Sequence, residues 1–201
     1  MDADLAAYYD QDAGHRAHRA IDPRRVAYRE RFATQLIAEK RKRLVEIGTG
    51  PGHDAAAFLA QGLAVSGVDL SAEHVRLCRA AGVDAYASSV MHLPFRAESF
   101  DAGWSMSTLV HVPDTEFDAA VGEIRRVLTA GSPIAIGLWG GKDWEGPKED
   151  DEIYPQRFFS FRSHDRLQEM LGRHGVLEHF ETWSPDGPAR WSYQWALLRT
   201  A

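Results

Sequence analysis

The segment Leu44-Val45-Glu46-Ile47-Gly48-Thr49-Gly50-Pro51-Gly52-His53-Asp54 carries the strongest chemical signal in the chain. A carboxylate at Glu46 is followed by glycine at every second position, Gly48, Gly50 and Gly52. Glycines let the backbone turn sharply and let a ligand lie against bare main chain. A helix beginning just beyond them would add unpaired N–H groups and the positive end of its dipole. A second acid, Asp69, follows in Gly67-Val68-Asp69-Leu70-Ser71. At the end of a neighbouring parallel strand it would stand beside the glycine turn. There it would accept two hydrogen bonds from the ribose hydroxyls of an adenosine that carries no 2′-phosphate.

Such a site needs strands that end together. Short apolar runs at 44–47, 63–68, 83–87, 100–106 and 133–139 read as strands. Between them, 54–60 reads as a helix stopped by Gly62. A second helix is capped by Ser71, runs to about 81 and is closed by Gly82. A third, capped by Asp114, runs to about 128 and leaves through Ala130-Gly131. Strands separated by helices need crossovers, so these strands are expected to be parallel, with right-handed connections and helices on both faces. The last quarter differs. Residues 140–156, with Glu149-Asp150-Asp151-Glu152, read as a mobile loop. Ser163 is expected to cap a helix to about 173. Residues 176–183 and 190–198 form an antiparallel hairpin through Ser184-Pro185-Asp186-Gly187-Pro188. The fold class is therefore α/β: a Rossmann-like, doubly wound seven-stranded sheet, mostly parallel with a C-terminal antiparallel hairpin. Ahead of it, residues 1–22 are polar, with Tyr8 and Tyr9 beside Asp10. A helix is expected from Pro23 to about 38, with Val26, Phe32, Leu36 and Ile37 facing inward.

Composition excludes several classes. A net charge of −6 argues against a broad nucleic-acid footprint. One cysteine, Cys78, permits no disulfide within the chain and no Cys-x-x-Cys pattern. No apolar run reaches membrane-spanning length, the first residues lack a secretion signal, and the cytoplasm is the expected location. His15 and His18 fall at helical spacing without a third ligand, so no metal is expected.

The chain resembles the class I S-adenosylmethionine-dependent methyltransferases, in particular their small Rossmann-like subgroup with many acceptors. The resemblance runs from about 44 to 138. It rests on Glu46-x-Gly48-x-Gly50-x-Gly52, on Asp69, on Leu93-Pro94-Phe95 with Ser99-Phe100-Asp101, and on Glu123-Ile124-x-Arg126-Val127-Leu128 with Ala130-Gly131. It implies S-adenosylmethionine as cofactor and S-adenosylhomocysteine as product. It implies that Gly48, Thr49, Gly50 and Gly52 face the methionine and ribose portion, and that Glu46 reaches the methionine end. Asp69 would hold the ribose, Leu70 would pack on adenine, and Met106 would lie near the sulfonium. His111 matches a histidine common beside the acceptor. The family's usual adenine-binding acid is missing. Ser88-Ser89-Val90-Met91 stands in its place, leaving Ser89 and the Val90 N–H to serve adenine, with weaker binding expected.

The expected partner is a small-molecule acceptor. His111 is the first candidate base and Tyr8 or Tyr9 the second, although His111 reads equally well as a hydrogen-bonded core or loop histidine. Trp139, Arg157 and Phe158 are candidate acceptor-pocket residues. Over 1–201 the expected organisation is a single methyltransferase domain. It has an N-terminal helical or lid segment (1–40), a cofactor-binding core (41–139), and an acceptor loop, helix and hairpin (140–201). Two other readings stay open. Gly50-Pro51-Gly52-His53-Asp54-Ala55 also spells the G-x-G-x-x-A of nicotinamide-dependent oxidoreductases, against which stand Glu46, Gly48 and the terminal hairpin. A non-catalytic S-adenosylmethionine-binding protein would share the fold.

Overall fold

A computed structural model describes residues 2–185 and 191–201. Its main sheet has seven strands: β1 (Arg43–Ile47), β2 (Ala64–Asp69), β3 (Asp84–Ala87), β4 (Ala102–Met106), β5 (Pro133–Gly140), β8 (Gly175–Trp183) and β9 (Ser192–Thr200). Their order is β3-β2-β1-β4-β5-β9-β8. The first five pair in parallel, and β9 is antiparallel to both β5 and β8. This is the expected sheet, and order reverses between β1 and β4. Such a reversal opens a crevice at the carboxyl ends of the strands.

Helices α3 (His53–Ala60), α4 (Ala72–Ala80) and α5 (Asp114–Val127) link the parallel strands, and α6 (His164–Gly172) precedes the hairpin. Ser71 caps α4 as expected, accepting from the His74 N–H at 3.0 Å. Phe100 falls outside β4 and makes only an isolated bridge to Leu128. Two apolar clusters fill the faces of the sheet, one around Val45, Ile124, Ile134 and Leu138, the other around Phe32, Phe58, Trp104 and Trp195.

Two helices precede the sheet, α1 (Asp2–His18) and α2 (Pro23–Ala38). In α1, Asp2 and Asp4 occupy the first turn and His15, Arg16 and His18 the last, an order that suits the helix dipole. On α2, Phe32 and Leu36 are buried, but Ile37 is exposed; Tyr28 takes the inner place and stacks on Trp195 at 5.0 Å.

The polar stretch 140–156 is not wholly loop. Trp144–Pro147 forms β6, paired antiparallel with β7 (Phe158–Phe161) as a separate two-stranded sheet. Aromatic packing overrides the acidic composition: Trp144 stacks on Phe161 at 5.6 Å, and Trp191 stacks on Phe161 at 4.1 Å. Trp191, one residue before β9, thus packs on β7. Of the expected hairpin turn at 184–188, residues 186–188 lie outside the described residues. Among the described residues, no helix is long and apolar enough to cross a membrane.

Candidate active site

At the carboxyl ends of the parallel strands lies a cavity of about 850 Å³, near the upper end of small-molecule sites, which run to about 1,000 Å³. The turn between β1 and α3 forms its floor. Gly48, Gly50 and Gly52 all have positive φ, at 73°, 56° and 90°, which explains the residue type at each. Their open sides differ. A Cβ on Gly48 would collide with Thr108, whose hydroxyl donates to the Ile47 carbonyl at 3.0 Å. A Cβ on Gly52 would sit 2.9 Å from Cys78 Sγ. At Gly50 nothing lies within 4 Å, so its bare backbone faces the cavity. Gly48, Thr49 and Gly50 line the cavity and Gly52 does not. Burial pushes the Cys78 thiol up to about 12, so it is inert packing.

Asp69 ends β2 on the cavity wall, with Leu70 beside it. Its Oδ2 accepts from the Gly50 N–H at 2.8 Å and its Oδ1 from the Ser71 N–H at 2.9 Å. His74 Nδ1 lies 3.3 Å from Oδ1. These contacts fix the carboxylate beside the glycine turn.

Glu46 stands one layer behind the wall, almost fully buried. Thr49 donates to its Oε2 at 3.1 Å, while Oε1 has no partner. Burial, reinforced by Asp54, holds its pKa well above the usual carboxylate range. Arg25, which lines the cavity, donates to Asp54 Oδ2 at 2.7 Å. Buried Asp54 also accepts from Arg29 at 2.9 Å and from Trp104 Nε1 at 3.0 Å. The sequence reading overlooked Arg25. Its signal was the pairing of an arginine-rich helix start with an aspartate at the start of α3, invisible without the fold.

Ser89 and Val90 line the β3 end of the cavity, where the Ser89 hydroxyl accepts from the Met91 N–H at 3.2 Å. Met106, at the end of β4, also lines the cavity. Beyond it, Trp139, Trp183 and Tyr193 form an aromatic wall. Trp139 meets Trp183 edge-on at 5.3 Å and Tyr193 at 5.2 Å.

His111 closes the 3-10 turn Leu109–His111 and is buried against the cavity. Its Nδ1 lies 2.8 Å from the Phe158 carbonyl, which can only accept, so Nδ1 carries the proton. Nε2 is therefore the acceptor, and Tyr9 Oη donates to it at 2.7 Å. Burial pushes the His111 pKa down to about 4, against which the Phe158 bond acts. Burial likewise raises Tyr9. Tyr9 lines the cavity, whereas the neighbouring Tyr8 is buried beneath Arg157, 4.4 Å from the guanidinium. Arg157 lines the cavity too, but Asp151 holds its Nε at 2.7 Å and its Nη2 as well. Phe158 contributes its carbonyl, and Phe159 rather than Phe158 lines the large cavity.

Part of the chain is similar to known proteins. A model described as a methyltransferase domain matches residues 45–136, the span from the glycine turn through β5. Over that span, just under half of the chain, the sequence is similar to methyltransferase domains. It is 30% identical over 117 residues to methyltransferase GfsG of Streptomyces halstedii, covering 53% of this chain and 41% of that protein. It is 29% identical over 111 residues to O-methyltransferase rstn1 of Aspergillus nomiae, covering 51% and 48%. The chain therefore matches less than half the length of these curated relatives. Solved structures share the fold. The chain superposes on an S-adenosylmethionine-dependent methyltransferase from Methanosarcina mazei with a TM-score of 0.70 at 17% identity, over 80% of this chain and 92% of that one. The 1,6-didemethyltoxoflavin-N1-methyltransferase of Burkholderia thailandensis, solved with 1,6-didemethyltoxoflavin and S-adenosylhomocysteine, gives 0.69 at 22% identity, over 98% and 89%.

Proposed function

We propose that this protein moves the methyl group of S-adenosylmethionine to a small-molecule oxygen or nitrogen acceptor by in-line displacement. The observation that carries the reading is the continuity of one cavity, from the Gly50 and Asp69 cradle past Met106 to the aromatic wall and His111. One chamber can thus hold donor and acceptor end to end.

The cofactor fits the residues present. Bare backbone at Gly50 admits the ligand without a side chain in the way. Asp69 would hold the ribose, with Ser89 and Val90 at the adenine. Glu46 and Arg25 would supply opposite charges for the methionine ammonium and carboxylate, Glu46 from behind the wall. When bound, the cofactor supplies an electrophilic methyl on a neutral leaving group. The protein's task is placement, an effect worth up to about 7–11 kcal/mol in well-aligned systems. The aromatic wall excludes water and favours an apolar, flat acceptor. The curated relatives include O-methyltransferases and one structural neighbour is an N-methyltransferase, which supports either atom. His111 is the base of choice for an acceptor that must lose a proton, acting through Tyr9, whose hydroxyl would take the acceptor's proton while passing its own to Nε2.

The test is calorimetry with S-adenosylhomocysteine, followed by product formation with a panel of aromatic hydroxyl and ring-nitrogen acceptors. Binding without turnover across the panel would favour a non-catalytic protein. No binding would end the reading. A finer check lies at the adenine end. Ser89→Asp should tighten S-adenosylhomocysteine about tenfold, since a carboxylate makes the stronger hydrogen bond by about 1 kcal/mol or more. Unchanged or weaker affinity would move the adenine elsewhere.

A further inference from the structure

Two consecutive residues of α1 grip opposite halves of the site. Tyr9 donates to His111 Nε2 at 2.7 Å, on the acceptor side after β4. Asp10 turns to the cofactor side after β2. Its Oδ1 accepts from Ser71 Oγ at 2.6 Å and from the Glu73 N–H at 3.0 Å. Asp10 is thereby a second cap on α4, supplied from another helix, while Ser71 caps the His74 N–H. Ser71 is also the residue whose N–H fixes Asp69 Oδ1 at 2.9 Å. A continuous path of hydrogen bonds thus runs from α1 through Asp10 and Ser71 to Asp69. The helix also lies over the cavity, which Leu5, Tyr9 and Arg16 help to line.

We propose that Asp10 is a positioning residue that latches α1 over the cavity, so that the helix docks on the ribose side and the His111 side as one unit. The proposal rests on the assignment of Asp69 to the ribose. Its consequence is kinetic. Bound cofactor holds Asp69 and Ser71 in place and so favours the docked helix, which in turn slows cofactor escape and presents Tyr9 to His111.

The experiment measures S-adenosylhomocysteine release by stopped-flow tryptophan fluorescence, and trypsin cleavage after Arg16 and Arg19 in ligand-free protein. Asp10→Ala should speed both about five- to tenfold, the scale of a lost helix cap. Asp10→Asn should restore both to within about twofold, because its amide oxygen still accepts from Ser71 and Glu73. If α1 docks as a unit, Asp10→Ala combined with Tyr9→Phe should release no faster than the worse single variant. Normal release and cleavage in Asp10→Ala would overturn the latch, as would strictly additive effects in the double variant. Trypsin cleavage needs no cofactor. A wild type that shows the cleavage difference but binds no S-adenosylhomocysteine would therefore sink the cofactor reading and leave the latch standing.

Discussion

Replacing Glu46 with glutamine is expected to make the ligand-free protein more stable and its cofactor affinity about 10–100-fold worse, the range for losing a hydrogen bond to a charged group. Glu46 is buried, with Thr49 satisfying Oε2 and nothing satisfying Oε1. Burial first, and the nearby Asp54 second, raise its pKa well above 4.5. A carboxyl raised in this way contributes fully below its unfolded pKa, and that contribution is lost as pH rises through the folded value. Glutamine copies the protonated form and escapes the loss. The variant's advantage should therefore grow with pH, reaching about 1–3 kcal/mol, the usual cost of a buried unsatisfied group. Urea melts at pH 5 and pH 8 would measure it. Cofactor binding runs the other way. A methionine ammonium favours the ionised carboxylate, so wild-type affinity should improve with rising pH and the variant's should not. If Glu46→Gln bound S-adenosylhomocysteine as well as wild type, Glu46 would be a structural acid with no part in the methionine site.

The sheet was readable because its strands include short apolar runs with clear ends, β1 and β5 closed by glycine and β2 by an acid, and each crossover helix has its own stop signal. The glycine turn shows where such reading ends. Glycine at three alternate positions suggests one role, a bare cradle for ligand. The fold assigns the three to different neighbours: Gly48 makes room for Thr108, Gly52 for Cys78, and Gly50 alone leaves open space. Those partners are distant in sequence, so no local pattern could separate them. The same holds for charge. Arg157 was expected in the acceptor pocket, yet Asp151 occupies its fork. Arg162 drew no notice as a lone arginine just after β7. It is fully buried, over the Phe117 ring, and donates to the carbonyls of Leu109 and Val112, so it braces the turn that presents His111. The acidic stretch after β5 misled in the opposite way. Glu149, Asp150 and Glu152 are exposed while Asp151 turns inward to Arg157, and the pairing of β6 is held by three aromatic rings from separate segments.

Removing the imidazole should be the costliest single change to turnover. His111→Ala is expected to lower kcat about 100-fold or more with an acceptor that must lose a proton, the usual worth of a placed base. S-adenosylhomocysteine affinity should change little. Because burial holds the folded pKa at about 4, the histidine stays neutral, and active, far below the pH at which an exposed imidazole would titrate. The acid limb of kcat/KM should therefore fall near pH 4–5 rather than 6.5, read only where circular dichroism shows folded protein. Stability has the same origin. The unfolded chain binds the proton at about 6.5 and the folded chain only at about 4. Stability from His111 is thus complete above 6.5 and drains away as pH falls to 4, by about 3 kcal/mol at 1.36 kcal/mol per unit. His111→Gln should erase that acid sensitivity while also failing in turnover. An activity limb near 6.5 in the wild type would mean that the imidazole is exposed during the reaction, with Tyr9 swung away. A limb near 4–5 that survived in His111→Gln would assign the proton to another group.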